Sequence, residues 1–471
     1  MCAHGEDGGE PERATSPRRW RRRTSALLLP LLFLLADQVN ASPPDALAEA
    51  RAAVDAVLAC ARPDGGWTYV CNPASGPHGA VTRILIRARQ IGSWLGGARW
   101  DVLVVRSPGT PTAGIVMLDA WKRWGDPRYL DAARRAGDIL LEAQLGSGGW
   151  ASELPVRGAS MPVWFRWFNH ETALDDDVTS GASRFLLALW RATGDGRYRD
   201  GARRGLDLVR AAQLANGAWP LTWRPGWLRW LSPSFEDWPS TNDAATAGPI
   251  GALLQGSAML DNPHDLLAAR RGGDWLLAIQ GAPPQAGWAQ QYDTAGRPAA
   301  GRRFEPVGFA TWESREMLDA LVSLARVTGE RRYCRGVGPA VRWFFQSALA
   351  PGCWARLYAP GVNAPLFVDR DGRPVATPAE ARRPYSWTGD FGIPGFLATL
   401  GLGSDGRRLA PGAPRPPVRP IGDPGACPGA PPIEAAPDDE NPRRRIVRAA
   451  VLLQRLEPGP ASPCADDVQS E

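Results

Sequence analysis

Apolar positions along this chain recur at helical spacing in paired segments, and the pairs themselves repeat. Four such units close on Trp150, Trp219, Trp288 and Trp354, which lie 69, 69 and 66 residues apart. The first half of each unit is a periodic stretch of roughly 12–15 residues that stops near a Gly-Asp or Gly-Glu pair, such as Gly194-Asp195 or Gly329-Glu330. The second half follows a Tyr-Arg pair and ends before a Gly-x-Trp turn, where glycine permits a tight chain reversal. Pro44 to Gly66 reads as one more second-half helix, with Ala50, Val54, Val57 and Leu58 on one face. A fixed period of this length marks stacked supersecondary units. Two helices per unit, without alternating strand patterns, predict an all-α fold. The expected form is an α/α toroid, a helical-hairpin barrel of about five repeats with long loops. First helices would line the inside in parallel, with second helices packed outside them. The N-termini of the inner helices, with their unsatisfied N–H groups, would then face one mouth of the ring.

The rest of the chain divides around this array. Arg18, Arg19, Arg21, Arg22 and Arg23 precede the apolar run Ala26–Ala36, and Val39-Asn40-Ala41 offers small residues for cleavage. Residues 1–41 therefore read as a signal peptide, with a membrane anchor as the alternative; the apolar run is short for a bilayer span. Residues 42–125 read as an additional N-terminal helical repeat and 126–402 as the main toroid. Residues 403–471 are rich in Pro and Gly and predict a disordered tail. Within it, Arg443–Leu456 has the pattern of a short basic amphipathic helix, read as part of a solvated tail.

Composition narrows the partners. The net charge is +5 and nearly all the cations are arginine, which suits carboxylate or phosphate. No basic stripe or nucleic-acid motif accompanies them, so no nucleic-acid partner is expected, and processing would leave no stable membrane insertion. Six cysteines remain after loss of Cys2. They suit a secreted or periplasmic chain with near-neighbour disulfides Cys60–Cys71, Cys334–Cys353 and Cys427–Cys464, the alternative being free buried thiols.

Polar residues cluster just ahead of the predicted inner helices. Asp175-Asp176-Asp177 sets three carboxylates side by side, which suits a hard cation such as calcium or an N-capping cluster. Ser240-Thr241-Asn242-Asp243 stands one repeat later and would form a second arm of the same site. Arg302 and Arg303 precede the last copy, whose helix starts at Trp312-Glu313-Ser314. The rim loops carry Trp164, Phe165, Trp167, Phe168, Trp223, Trp227, Trp230, Phe235 and Trp238, candidate platforms for sugar rings. His170 adjoins the acidic run, and a structural role is expected for it.

From about Ala132 to Gly395 the chain resembles the pectic acid lyases of polysaccharide lyase family 10. The segments that carry the likeness are DDDVTSGASRFLLALWRATGDGRYRDGARRGLDLVRAAQLANGAWP, STNDAA, GWAQQYD, GRRFEP, and WARLYAPGVNAPLFVDRDG followed by RRPYSWTGDFG. The resemblance implies a secreted α/α toroid that cleaves polygalacturonate, or a related acidic polysaccharide, by calcium-dependent β-elimination. It implies Asp175, Asp176 and Asp243 at the calcium ion, Arg302 as catalytic base, and Arg370, Arg356, Asn242 and Trp312 on the substrate. An arginine base implies alkaline activity.

Several positions depart from the family pattern. The later threonine and glutamate of its acidic segment are missing, Phe304 stands in place of tyrosine, and Glu153 falls where a lysine is usual. A carbohydrate-binding protein on a lyase scaffold is therefore a second reading. A terpene-cyclase-like toroid is a third, based on Gln213-x-x-x-Gly-x-Trp219 and the Asp run, but the WARLY and DRDG segments oppose it.

Overall fold

The computed structural model describes residues 44–69, 71, 102–155, 172–381, 386–410, 427, 441–456 and 461–468. The predicted signal peptide, His170, Trp164, Phe165, Trp167, Phe168 and most of the segment from 411 to 440 lie outside the described residues. Eleven of the twelve α-helices among the described residues organise the rest: α1 (Pro44–Ala59), α2 (Thr110–Trp124), α3 (Pro127–Ala143), α4 (Val178–Thr193), α5 (Gly196–Ala211), α6 (Ala247–Leu260), α7 (Pro263–Ile279), α8 (Thr311–Thr328), α9 (Val337–Ser347), α10 (Ile393–Thr399) and α11 (Pro442–Leu456); the twelfth is a short helix, Gly226–Leu231, in a rim loop. A 3₁₀ turn, Arg331–Gly336, leads into α9.

Helices α2, α4, α6 and α8 pack on one another in chain order, and each packs against the helix that follows it. The fold is the expected all-α toroid of helical hairpins. N-caps mark the outer helices: the side chains of Asp126, Asp195 and Asn262 accept hydrogen bonds from the first turns of α3, α5 and α7. Gly125, Gly194 and Gly329 end the inner helices in left-handed geometry.

The repeated tryptophan and glutamine explain the period. Trp67, Trp150, Trp219, Trp288 and Trp354 are all buried. Their indole N–H groups donate to Val57 O, Leu140 O, Val209 O, Leu276 O and Phe344 O at 2.6–2.9 Å. Each ring thus plugs the end of its own hairpin and satisfies a terminal helix carbonyl. Gln144, Gln213 and Gln280 each join two repeats; Gln213 Nε2, for example, donates to Gly217 O and to Ala268 O of the next outer helix. Two residues before Trp67, Trp150 and Trp219 stand Gly65, Gly148 and Gly217 at φ of 110°, 98° and 98°. A Cβ at these positions would sit 2.4–2.5 Å from a carbonyl oxygen of the next outer helix, so only glycine fits.

The C-terminal segment departs from expectation. Helix α11 packs against α1 and α2, so it supplies the inner partner that α1 lacks in sequence. Ile446 and Ala449 are fully buried there, opposite the buried Ala50, Val54 and Val57. Arg443 Nη2 donates to Ser107 O at 2.6 Å and Arg445 Nη1 to Ala56 O at 3.2 Å. The solvated-tail reading of Arg443–Leu456 is therefore corrected: α1 has an apolar face that must be covered, and α11 covers it.

The same return of the chain sets the disulfides. Cys60–Cys71 forms as expected. The other two bonds are Cys334–Cys464 and Cys353–Cys427, replacing the expected Cys334–Cys353 and Cys427–Cys464. Cys334 and Cys353 flank opposite ends of α9, roughly 16 Å of helix, which is too far to bridge.

Short strands, absent from the sequence reading, tie the rim loops together. The largest set is antiparallel, in the order Pro374–Val375, Pro365–Val368, Leu357–Tyr358, Phe309–Ala310, Trp288–Ala289. Segments of two residues are too brief to show an alternating pattern.

Candidate active site

Two repeats present the same backbone turn ahead of an inner helix. Leu174 and Asp175 N–H groups donate to Leu221 O; Thr241 and Asn242 N–H groups donate to Gln290 O. After each pair come two consecutive left-handed residues, Asp176 and Asp177 in one turn and Asp243 and Ala244 in the next, with φ of 49–61°. Asp175 is thus the counterpart of Asn242, and Asp176 of Asp243. Non-glycine residues hold this conformation at a cost of about 1–3 kcal/mol each, and such strain gathers at functional sites.

The three adjacent carboxylates go to three different arginines. Asp175 Oδ2 lies 3.8 Å from Arg302 Nη2. Asp176 Oδ2 lies 3.4 Å from Arg106 Nη1. Asp177 pairs with Arg184, about two helical turns into α4. Asp177 is the N-cap residue of α4 but its side chain makes no capping hydrogen bond, so the capping alternative does not account for the run. Arg106 Nη2 also meets Glu153 Oε1 at 3.4 Å, so the N-terminal repeat brings a cation between Glu153 and Asp176.

Arg302 gathers the rest. Its Nη1 lies 3.2 Å from Asp243 Oδ2 and donates at 2.8 Å to Glu305 Oε1. Its own N–H donates to Glu305 Oε2 at 2.8 Å, so the loop 301–305 wraps around the Glu305 carboxylate. Asn242 Nδ2 donates to Glu305 Oε1 at 3.1 Å, and Gln290 Nε2 donates both to Asn242 Oδ1 and to Glu313 Oε1. Arg356 Nη2 donates to Glu313 at 2.8 Å, and its guanidinium lies over the Trp312 ring at 5.1 Å.

The predicted substrate-binding residues therefore separate. Asn242 is fully buried and Arg356 is 5% exposed, and both are engaged by hydrogen bonds to Glu305 and Glu313 behind the cleft. Burial of Arg356 is sustained because Glu313 is buried with it. Trp312 lines an open cleft of about 340 Å³ together with Asp176, Asp243, Arg184, Arg315 and Glu316. Arg370 is exposed on the turn between Pro365–Val368 and Pro374–Val375. That turn touches the Arg302 loop, since Gly372 packs against the carbonyl of Arg303 and Asp371 lies 3.6 Å from the Arg303 guanidinium. Of the rim aromatics, Trp227 and Trp230 are 60% and 80% exposed, whereas Trp223 packs against the core.

The electrostatics follow from crowding. Burial pushes the Asp175 carboxyl up to about 8, with Asp176 and Asp243 adding to it and Arg302 and Arg106 opposing. Asp176 is raised by burial and by Asp243. Asp177 is raised by burial against the pull of Arg184. Burial likewise raises Glu316 to about 7, with Arg315 opposing.

Among the described residues, the one set of three close ligand atoms belongs to Cys334, Cys464 and Asp467, where the sulfurs form a disulfide. Asp175, Asp176 and Asp243 do not close a complete shell by themselves. Their donor chemistry does fit a hard cation, because a divalent ion would relieve the mutual repulsion that raises Asp175 and Asp176.

Glu305, Gln290, Glu313 and Glu316 were missed from sequence. A signal existed for one of them: Gln290 follows Trp288 by two residues, as Arg356 follows Trp354, and both donate to Glu313 Oε1.

Residues 163–226 match the family described as pectic acid lyase. The chain resembles the pectic acid lyases. The matched stretch holds Asp175, Asp176 and Asp177, while Asp243 and Arg302 lie beyond it. No curated protein matches the chain. Among solved structures, a family 10 polysaccharide lyase from Cellvibrio cellulosa is 20% identical, with a TM-score of 0.46, over 60% of this chain and 94% of that one. A mutant of a family 10 lyase from the same organism, solved in complex with trigalaturonic acid, gives 20% identity, the same coverage and a TM-score of 0.45. A D-mannose isomerase gives 14% identity and a TM-score of 0.47 over 68% of this chain and 76% of that one. No described helix is long and apolar enough to cross a membrane.

Proposed function

We propose that this protein is a secreted, calcium-dependent polysaccharide lyase that cleaves polygalacturonate or a related polyuronate by β-elimination. One observation carries the reading: Asp175, Asp243 and Glu305, from three segments of the chain, converge on the single guanidinium of Arg302. Similarity to the pectic acid lyases over residues 163–226 supports the same reaction class, and the three disulfides support an oxidising compartment.

Elimination across C4–C5 of a uronate removes a weakly acidic proton from C5 as the C4–O4 bond breaks. Arg302 in its neutral form, held by Glu305 on one side and Asp243 on the other, takes that proton; a calcium ion beside it would disfavour the protonated guanidinium. Asp175, Asp176 and Asp243 would hold calcium, which would supply positive charge where negative charge develops on the substrate carboxylate. Arg370, exposed on its turn beside the Arg302 loop, clamps a neighbouring uronate. Asn242, Gln290 and Glu313 position these groups without touching sugar.

A carbohydrate-binding protein without catalysis is favoured by one feature. The charge of Arg302 is already balanced by surrounding carboxylates, which suits a fixed cation as well as a base. Mass analysis of polygalacturonate fragments after incubation with calcium separates the two. New chain ends that are dehydrated and unsaturated support the lyase. Unchanged polymer that still binds the protein supports the second reading.

A further inference from the structure

We propose that Glu316 donates the proton to the leaving oxygen, as the acid that complements Arg302. This rests on the lyase reading. The elimination breaks the C5–H and C4–O4 bonds and forms a C4=C5 double bond. Arg302 takes the C5 proton, and the C5–H electron pair becomes the new π bond. The C4–O4 pair leaves on oxygen. A sugar alkoxide departs poorly, so that oxygen needs a proton as the bond breaks. Glu316 gives its carboxyl proton and the new chain end leaves as an alcohol; Arg302 then releases the C5 proton to solvent and Glu316 regains one from it.

The placement of Glu316 suits this task. It lies in the first turns of α8 and lines the same cleft as Asp176 and Asp243. Its side chain is 17% exposed, enough for contact with a ligand while remaining mostly desolvated. Trp312 Nε1 donates to Oε1 at 2.7 Å and fixes the carboxyl plane. The other oxygen, Oε2, is buried and has no hydrogen-bond partner. A buried polar oxygen left unpaired in a ligand cleft calls for a function, because leaving it so costs about 1–3 kcal/mol.

Its surroundings keep the proton available near neutrality. Burial is the main cause, and Glu313 on the same helix and Asp243 from the preceding repeat add to it. Arg315, 3.4 Å away, opposes them but is shared with Asp319. Asp243 is thus a neighbour of both partners: it bonds Arg302 directly and acts through space on Glu316. A uronate bound in the cleft adds negative charge, which strengthens retention of the proton.

The experiment compares wild type, Glu316→Gln, Glu316→Asp and Arg302→Ala on two substrates. One is polygalacturonate with calcium; the other is a galacturonate whose C4 leaving group is 4-nitrophenoxide, which departs without protonation. The account expects Glu316→Gln to lose about 10²–10⁴-fold in kcat on polygalacturonate with KM nearly unchanged. On the aryl substrate it should stay within about tenfold of wild type, while Arg302→Ala loses both activities. Glu316→Asp should recover part of the loss, and the falling limb of the wild-type pH profile should vanish in Glu316→Gln. An equal loss on both substrates, or an unaffected variant, overturns the donor role and leaves the lyase reading standing. A wild type inactive on both substrates overturns the lyase reading and the donor role with it.

Discussion

Arg302 Nη1 lies 3.2 Å from Asp243 Oδ2, although the two residues are 59 positions apart in the chain. The contact joins the loop before the last inner helix to the turn before the one preceding it. It exists because the terminal tryptophan of each repeat is tied to its own helix in the same way, so that what precedes one inner helix stands beside what precedes the next.

Replacing Arg302 should therefore abolish chemistry while sparing the fold. Arg302→Ala is expected to lower kcat on polyuronate by about 10²–10⁴-fold with a melting temperature close to wild type, because the side chain is one-third exposed and near the surface. Arg302→Lys should recover little, since lysine cannot reach Asp243 and Glu305 with the same planar fork. Steady-state kinetics with parallel thermal melts check both statements.

Stability should fall as pH rises. The folded Asp175 carboxyl is held at about 8, above its ordinary value of 3.8, so the folded state keeps a proton over that window. The unfolded state has already released it, and stability is therefore highest at the acid end and is lost towards pH 8. Asp176 and Glu316 shift in the same direction. Without added metal, the melting temperature should be higher at pH 5.5 than at pH 8. Asp175→Asn should be more stable than wild type at pH 8 and should flatten the slope. A steeper loss in the variant would contradict this.

Calcium should reverse that trend. A cation held by Asp175, Asp176 and Asp243 replaces the proton, so added calcium should raise the melting temperature at pH 8 by more than at pH 5.5. At a concentration 100 times the dissociation constant the gain is about 2.7 kcal/mol. Asp243→Asn should lose most of it, and a chelator should remove it from wild type.

The array was legible from sequence because helical spacing, a fixed period and the Gly-x-Trp turn all agree, and the structure gives each of them a hydrogen bond. The grouping of Asp175, Asp243 and Arg302 was legible for the same reason: the period alone places them on one rim. The buried side of the site was not. Glu305, Gln290 and Glu313 look like ordinary loop and helix residues until the fold brings Asn242 and Arg356 against them. The register within the acidic run was also hidden. The period pairs Asp177 with Asp243, whereas the left-handed pair of residues in each turn pairs Asp176 with Asp243. The tail misled because a basic amphipathic stretch looks the same whether its apolar face meets solvent or α1.

That return of the chain makes its own prediction. Peptide mapping without reduction should find Cys334 joined to Cys464 and Cys353 joined to Cys427. A Cys334–Cys353 peptide would contradict the fold-back. Ile446→Ala should destabilise the protein by about 2–5 kcal/mol, as for any fully buried aliphatic side chain, where a solvated tail would tolerate it.

The central claim is that carboxylates from neighbouring hairpins and the Arg302 guanidinium form one centre that splits a polyuronate by elimination. Ultraviolet absorbance of unsaturated product, followed during incubation of the protein with polygalacturonate and calcium, tests it most directly. The account predicts a steady rise in wild type that chelator stops and that Arg302→Ala lacks. A flat trace from folded, calcium-loaded wild type, or an undiminished rise in Arg302→Ala, would contradict it.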